Sequence, residues 1–370
     1  MRNKKHIIIS VSNDLSFDQR VHKVCMSLHK AGYSVLLVGR LRKNSVPLDR
    51  TYKVKRLRFI PERGVMFYAL FNIRLFFYLL FRKVDVLHAN DLDTLLGNWV
   101  VKFIRRKPLV YDTHEYFTGV PEIQEKPIVK KTWQIIEKII FPKLKYVLTV
   151  NRSIATLYKN EYGVELKVIR NLPVSDSLPK VKNRQDLNLP EDKKIVILQG
   201  GGINVDRGAE ELLEAIALSK QLFLCVVGSG DVIGVLKSRS QQNDLKNKVM
   251  FTGLLPYNDM MQYTLNADVG VSLDKDTNIN HKFSLPNKIF DYMKAGIPSV
   301  VSDLKEVAAI VNDHKTGLVV SSHEPDEILA TILKAIDQIS LKDIDIAQKK
   351  LTWENEEAVL LSVYKELNLL

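Results

Sequence analysis

Apolar residues along this chain fall into short runs that alternate with longer stretches at helical spacing. In the first half the runs cover 6–12, 34–39, 52–59, 85–89, 108–112 and 146–150, each short enough for a strand. Between them the helical pattern covers 18–31, 66–82, 93–104, 127–140 and 152–162. Such alternation predicts a parallel, doubly wound sheet with helices on its faces. Residues 168–171 close that unit, and 172–194, with Pro173, Pro179 and Pro190 among polar residues, reads as a linker. A second alternating unit follows. Its strands are expected at 195–199, 222–227, 249–252, 269–273, 299–301 and 317–320. Its helices are expected at 209–220, 232–242, 257–266, 287–295, 304–311 and 325–339, and a terminal helix at 352–370 has Trp353 near its start. The fold class is therefore α/β, with Rossmann-like domains at 1–171 and 195–345 and a tail at 346–370. Ligands of such sheets bind beyond the carboxyl ends of the strands.

The most informative segment is 283–302, FSLPNKIFDYMKAGIPSVVS. Pro286 suits a first helical turn, where the backbone N–H has no intrahelical partner. Ile289, Phe290 and Met293 follow at helical spacing; Gly296 stops the helix and Pro298 prevents its resumption. Free N–H groups, Ser284 and Lys288 then gather at one place, which makes an anion site. Asp291 lies one turn further on, in reach of sugar hydroxyls. The combination suits a nucleotide diphosphate with its ribose.

A chain of 370 residues exceeds one ordinary core. Its composition, 46% hydrophobic and 26% charged, is that of a globular protein. Cys25 and Cys225 lie in apolar segments and read as buried free thiols, consistent with a reducing cytosol. The N-terminus reads as a first strand and not a signal peptide. Net charge is +12, and its placement is uneven: residues 1–171 hold 32 Lys and Arg against 14 Asp and Glu, the remainder 22 against 28. Eight basic residues and one acid lie within 40–58. No nucleic-acid module accompanies this charge, so nucleic acid is not an expected partner. The rivals are a solvated basic face and an anionic membrane surface. The stretch 65–81, VMFYALFNIRLFFYLLF, is too short to span a bilayer and is interrupted by Arg74. It is either a buried helix or an amphipathic one lying on a membrane.

The segment 283–302 resembles the donor-binding motif of retaining glycosyltransferases of the two-domain GT-B type, family 4. Asp291 falls where that family holds the ribose, and Ala295-Gly296-Ile297-Pro298-Ser299-Val300 matches its turn into a strand. Phe283 stands where many members have a second acid, as in sub-families reading "PNK". The resemblance implies two Rossmann-like domains facing across a cleft, with the tail crossing back to the first. It also implies a nucleotide-diphosphate sugar as donor, no metal and no further cofactor. The glycine run Gly200-Gly201-Gly202 before Arg207 resembles the family's phosphate loop. Its usual first cation falls on Gly201, and Lys288 is expected to supply the missing charge. Gly228 lies in a second loop near the nucleotide, and Asp231 after it caps the next helix. Leu254 and Leu255 belong to the loop that brackets the base. Ser284, Leu285, Pro286 and Asn287 complete the donor loop, and His281 substitutes for the missing acid.

In the first domain, His114 and Glu115 at a strand end resemble the region beside the transferred sugar. His88, Asp91, Asp18 and Arg20 are expected on the acceptor side; Asp18 also suits a helix cap. Asp91-Leu92-Asp93 has the spacing of a metal-holding DxD pair, but Asp93 suits the N-cap of a helix from Thr94, and the basic phosphate loops remove the need for a metal. Arg207, Lys288 and His114 are the expected catalytic residues. The acceptor implied is a glycan or a lipid-linked glycan in bacterial surface-polysaccharide synthesis, handled in the cytoplasm or at the inner membrane face. Two alternatives stay open. One is an epimerase or hydrolase of the same fold, for which Glu115 is the candidate acid. The other is a non-catalytic scaffold, suggested by Phe283 and Gly201.

Overall fold

A computed structural model describes residues 4–16, 18–43, 45–175 and 178–367. The remaining positions of the stretches read above, in the first loop, the basic segment, the linker and the tail end, lie outside the described residues. The chain divides into two compact units, Met1–Asn171 with Trp353–Leu370, and Leu172–Thr352.

The first unit runs β1 His6–Asp14, α1 Gln19–Lys30, β2 Ser34–Arg40, β3 Lys53–Leu57, α2 Gly64–Leu80, β4 Val86–Asn90 and α3 Leu92–Arg105. It continues with β5 Leu109–Thr113, α4 Pro121–Gln124, α5 Pro127–Ile140, β6 Tyr146–Thr149, α6 Arg152–Tyr162 and β7 Leu166–Val168. The sheet is parallel, in the order β3-β2-β1-β4-β5-β6-β7. Strand order reverses between β1 and β4, so the carboxyl ends of those strands form the place where such sheets take ligands. Asp18 caps α1 by accepting from the Val21 N–H at 2.9 Å.

The second unit runs β8 Lys194–Gly200, α7 Ala209–Ala217, β9 Leu222–Gly228, α8 Ile233–Arg239, β10 Val249–Phe251, α9 Tyr257–Leu265 and β11 Val269–Ser272. Then come α10 Ile279–Lys282, α11 Asn287–Ala295, β12 Ser299–Ser302, α12 Lys305–His314, β13 Gly317–Val320, α13 Pro325–Gln338 and α14 Leu341–Lys350. Its parallel order is β10-β9-β8-β11-β12-β13, with the reversal between β8 and β11. Pro286 occupies the N-cap of α11, and Gly296 ends it in a left-handed conformation, φ 76°.

Helix α15, Trp353–Glu366, packs in the first unit, where Trp353, Leu360, Val363 and Tyr364 join a core with Ile7, Ile9, Val24 and Leu28. Trp353 Nε1 donates to Ser27 Oγ at 2.9 Å, and Arg170 grips Glu356 at 2.6 and 2.9 Å. The tail expected as one piece from 346 divides. Residues up to Lys350 belong to α14, whose Ile344 and Ala347 are buried with Phe290 and Met293 of the second unit.

Two capping expectations are corrected. Helix α3 begins at Leu92, not Thr94; Asp91 takes the N-cap position with φ 58° and makes no side-chain cap bond. Asp93 instead turns into the unit, where the Ser12 hydroxyl donates to it. Asp231 does not cap α8, because its carboxylate accepts from the Val205 N–H at 3.0 Å.

Candidate active site

At the reversal point of the second sheet, the loops after β8 and β9 are stitched together. Ile203 N donates to Ser229 O at 2.9 Å, and Ser229 N to Gly200 O at 3.2 Å. The crossing is so close that a Cβ at Gly228 would stand 1.8 Å from Gly200 O, and one at Gly230 1.9 Å from Ile203 O. Gly228 therefore positions the glycine run and is not among the residues that line the cavity beside it.

That cavity holds about 270 Å³. Gly200, Gly202 and Arg207 border it from the β8 loop; Pro286, Asn287, Lys288 and Asp291 border it from the start of α11. Leu198, Ile203 and Met260 add apolar wall. The N–H groups of Asn287 and Lys288, which open α11, have no intrahelical acceptor and the helix has no side-chain cap, while that of Ile289 donates to Pro286 O at 3.3 Å. Arg207 Nη1 donates to Asp274 Oδ2 at 2.5 Å. Asp274 is buried just past β11, and its other oxygen has no partner among the described residues. Burial pushes the Lys288 ammonium below the usual lysine range; Asp274 opposes that shift and Arg207 adds to it. Beside two buried carboxylates, Asp274 and Asp291, two cations thus face one cavity. An incoming dianion would relieve their repulsion.

Asp291 is held from both sides. The Tyr257 hydroxyl donates to Oδ1 at 2.9 Å and the Gln199 amide to Oδ2 at 3.1 Å, while Gln199 Oε1 accepts from Thr264 Oγ1 at 2.7 Å. Gly201, Leu254, Leu255, His281, Ser284 and Leu285 are not among the cavity-lining residues. A Cβ at Gly201 would meet nothing within 4 Å. Leu254 is exposed, and Leu255 packs on the cluster around Tyr292. His281 is buried, with Nδ1 3.3 Å from Thr277 Oγ1; burial and then the Arg207 charge lower its pKa. The Ser284 hydroxyl is buried without a partner among the described residues. Leu285 packs against the core that contains Phe290. Asp274, Gln199 and Tyr257 were not foreseen as partners. Only the placement of Asp274 after an apolar strand could have signalled one of them.

In the first unit the carboxyl ends of β4 and β5 gather a second charged group. Arg20 forms a two-pronged bond with Asp112, at 3.0 and 2.8 Å, and donates to Ile169 O at 2.6 Å. His114 lies between two acids: Nδ1 is 3.2 Å from Asp91 Oδ2 and Nε2 3.6 Å from Asp112 Oδ2. Its backbone N–H donates to Asp91 Oδ1 at 3.0 Å. Burial disfavours the imidazolium, but Asp91 and Asp112 outweigh it and hold His114 well above its ordinary range. Burial likewise works against the Asp112 carboxylate, and Arg20 and His114 overcome it, lowering Asp112 far below the usual range. Glu115 is exposed. His88 is not an acceptor-side group: it is wholly buried, and Nδ1 lies 2.7 Å from the Tyr364 hydroxyl of α15. Arg20 is also buried, in an ion pair with Asp112, and Asp18 caps α1. Among the described residues no group of three or more His, Cys, Asp or Glu is placed to hold a metal ion.

Among the described residues, two buried acids in this unit form no ion pair. Burial and then the Asp91 charge raise Asp93 to about 7. Glu137 accepts from the Tyr158, Tyr162 and Thr118 hydroxyls, at 3.1–3.2 Å, and burial raises it to about 7. Between about pH 4 and 7 both carry protons when folded that they have released when unfolded, so their contribution to stability falls as pH rises. His114 acts in the same direction. Its folded pKa exceeds its unfolded value of about 6.5, so its contribution is full below that pH and is lost as pH rises through the folded value. Asp93→Asn combined with Glu137→Gln should flatten the decline across the lower window in urea melts. An unchanged slope would show that neither acid is protonated when folded.

Sheet order, the reversal points and the terminal helix define the GT-B class of glycosyltransferase folds. Solved structures agree: sucrose-phosphate synthase from Thermosynechococcus elongatus superposes with a TM-score of 0.80 at 18% identity, covering 98% of this chain and 99% of that one. Anabaena HepE, solved in complex with UDP-glucose, gives a TM-score of 0.73 at 16% identity, covering 98% and 99%. An uncharacterised glycosyltransferase of Methanocaldococcus jannaschii is 24% identical over 76% of this chain and 75% of its own length. The family model described as Glycosyltransferase Family 4 matches residues 18–172, and that described as Glycosyl transferases group 1 matches 179–350. The chain belongs to the family 4-like GT-B glycosyltransferases, and its activity is glycosyl transfer.

Proposed function

We propose that this enzyme moves a sugar from a nucleotide-diphosphate donor to a hydroxyl of a glycan or lipid-linked acceptor, with retention and without a metal ion. The observation that carries the reading is the cavity beside α11, where Arg207, Lys288 and uncapped N–H groups face one volume. Charge grows on the departing diphosphate as the glycosidic bond breaks, and fixed cations and amides stabilise it there. The diphosphate oxygen that leaves takes the acceptor proton on the same face, so no protein base is needed. Asp291 accepts from the ribose hydroxyls. HepE, a structural relative, was solved with UDP and with UDP-glucose, which favours a nucleotide sugar. The basic first half favours work at the inner face of a cytoplasmic membrane, in surface-polysaccharide synthesis.

Thermal shifts with UDP-, GDP-, ADP- and CMP-sugars, with and without EDTA, test the donor class and the metal together. Stabilisation that vanishes with EDTA would overturn the metal-free reading. Product analysis separates glycoside from epimer or free sugar. Asp291→Asn should weaken nucleoside-diphosphate binding by about 1.5–3 kcal/mol, the range for a hydrogen bond to a charged group. It should also erase the preference for a ribo- over a 2′-deoxyribonucleotide in calorimetric titrations. If the variant keeps that preference, the ribose does not lie on Asp291.

A further inference from the structure

The apolar run of β8, Ile195 to Leu198 with each residue at most 2% exposed, ends in a polar side chain that the interior also encloses. Gln199 is 1% exposed, and its strand lies inside the sheet between β9 and β11. A buried amide is costly unless both of its ends are paired. Here both are: Nε2 donates to Asp291 Oδ2 of α11 at 3.1 Å, and Oε1 accepts from Thr264 Oγ1 of α9 at 2.7 Å. A carboxylate only accepts, so the NH2 group must face Asp291 and the carbonyl must face Thr264. Thr264 is fully buried, and its hydroxyl holds that orientation away from water.

Helix α9 reaches Asp291 a second time. Tyr257 and Thr264 stand two turns apart on α9 and therefore share one face of it. The Tyr257 hydroxyl donates to Asp291 Oδ1 at 2.9 Å, so each carboxylate oxygen takes a donor from a different side chain. Two donors on two oxygens fix the plane of the carboxylate at the cavity that Gln199 and Asp291 both border. A group fixed before binding loses less freedom when a ligand arrives. We infer that Gln199 is a positioning residue for donor recognition: held by Thr264, it sets the direction in which Asp291 offers its oxygens to the ribose. The inference rests on the reading of Asp291 as the ribose contact and assigns the group that aims it.

Calorimetric titration of the full chain with UDP, GDP and ADP, and with their 2′-deoxy counterparts, tests it. Gln199→Leu should lower affinity for the tightest-binding ribonucleotide, and its preference over the deoxy form, by roughly tenfold. Thr264 is not stranded by that change, because its hydroxyl also lies 3.2 Å from Met260 O. Gln199→Glu supplies a readout that lost packing would not move. Near about pH 5 a protonated carboxyl can donate to Asp291 as the amide does, whereas near about pH 8 two carboxylates repel. Its affinity, taken as a ratio to wild type at each pH, should fall roughly tenfold across that range. Arg207 and Lys288 border the cavity in both proteins, so their charge cancels from the ratio. In an Asp291→Asn background, Gln199→Leu should change the ribose preference no further, since it acts through the carboxylate. If Asp291→Asn alone leaves the preference intact, the ribose reading fails and this inference falls with it. If Asp291→Asn erases the preference while Gln199→Leu keeps it, or the Gln199→Glu ratio is flat with pH, the inference alone falls.

Discussion

Replacing Lys288 with alanine will slow sugar transfer by about 10²–10³-fold, the loss that follows removal of one fixed group that stabilises developing transition-state charge. Lys288 is the cleaner of two probes. It lines the cavity beside α11, and the coupling to Asp274 and Arg207 acts on its charge at a distance. Arg207 is bonded to Asp274, so its removal also strands a buried carboxylate and mixes a folding cost with the catalytic one. Lys288→Arg restores the charge in a broader head and should recover part of the rate. Turnover at saturating donor measures the effect, with calorimetric donor affinity beside it. A rate within a few-fold of wild type would place the departing diphosphate elsewhere, because a cation facing developing charge cannot be silent.

Arg20→Ala will destabilise the first unit by about 3–5 kcal/mol, the range for removing one partner of a buried ion pair. Arg20 is 4% exposed and Asp112 fully buried. Three donated bonds tie α1 to the end of β5 and to Ile169, just beyond β7. Without the guanidinium, Asp112 faces His114 alone. The pH dependence gives a second check. Because its folded pKa is depressed, Asp112 contributes stability above about pH 4 that is lost as pH falls. Arg20→Ala should erase much of that acid-side loss in denaturant melts. Arg20→Met with Asp112→Leu should cost less than Arg20→Ala alone, since no charge is then stranded. A single variant as stable as wild type would mean the pair contributes nothing net.

The alternation of strands and helices was legible because apolar runs and helical spacing are local signals, and each unit has them. The α11 boundaries were legible for the same reason: Pro286 and Gly296 act on their own backbone. Helix α14 was missed because its polar sequence, LKDIDIAQKK, buries only Ile344 and Ala347. His88 shows a different limit. Both faces of its sheet are covered, so a strand-end histidine can point into packing as readily as toward a ligand. Its partner, Tyr364, lies 276 residues later. Arg207 and Lys288 could be read from loop composition, whereas Asp274, which joins them electrostatically, carries no motif. The N-cap was misplaced by two residues, at Asp93 instead of Asp91: the N-cap rule fits several adjacent residues, and burial decided among them.

Because α15 returns to the first unit, that unit's interior is unfinished until Trp353–Glu366 has been made. Trp353, Leu360 and Tyr364 fill space among the earliest strands and α1. A nascent chain that has emerged only as far as Asn171 therefore exposes apolar surface and leaves Arg170 without Glu356. The second unit, continuous from Leu172 to Thr352, can close first, reversing the usual order in which amino-terminal domains mature during synthesis. Stalled or truncated products ending near Thr352 would then be targets for chaperones, with one finished half and one open one.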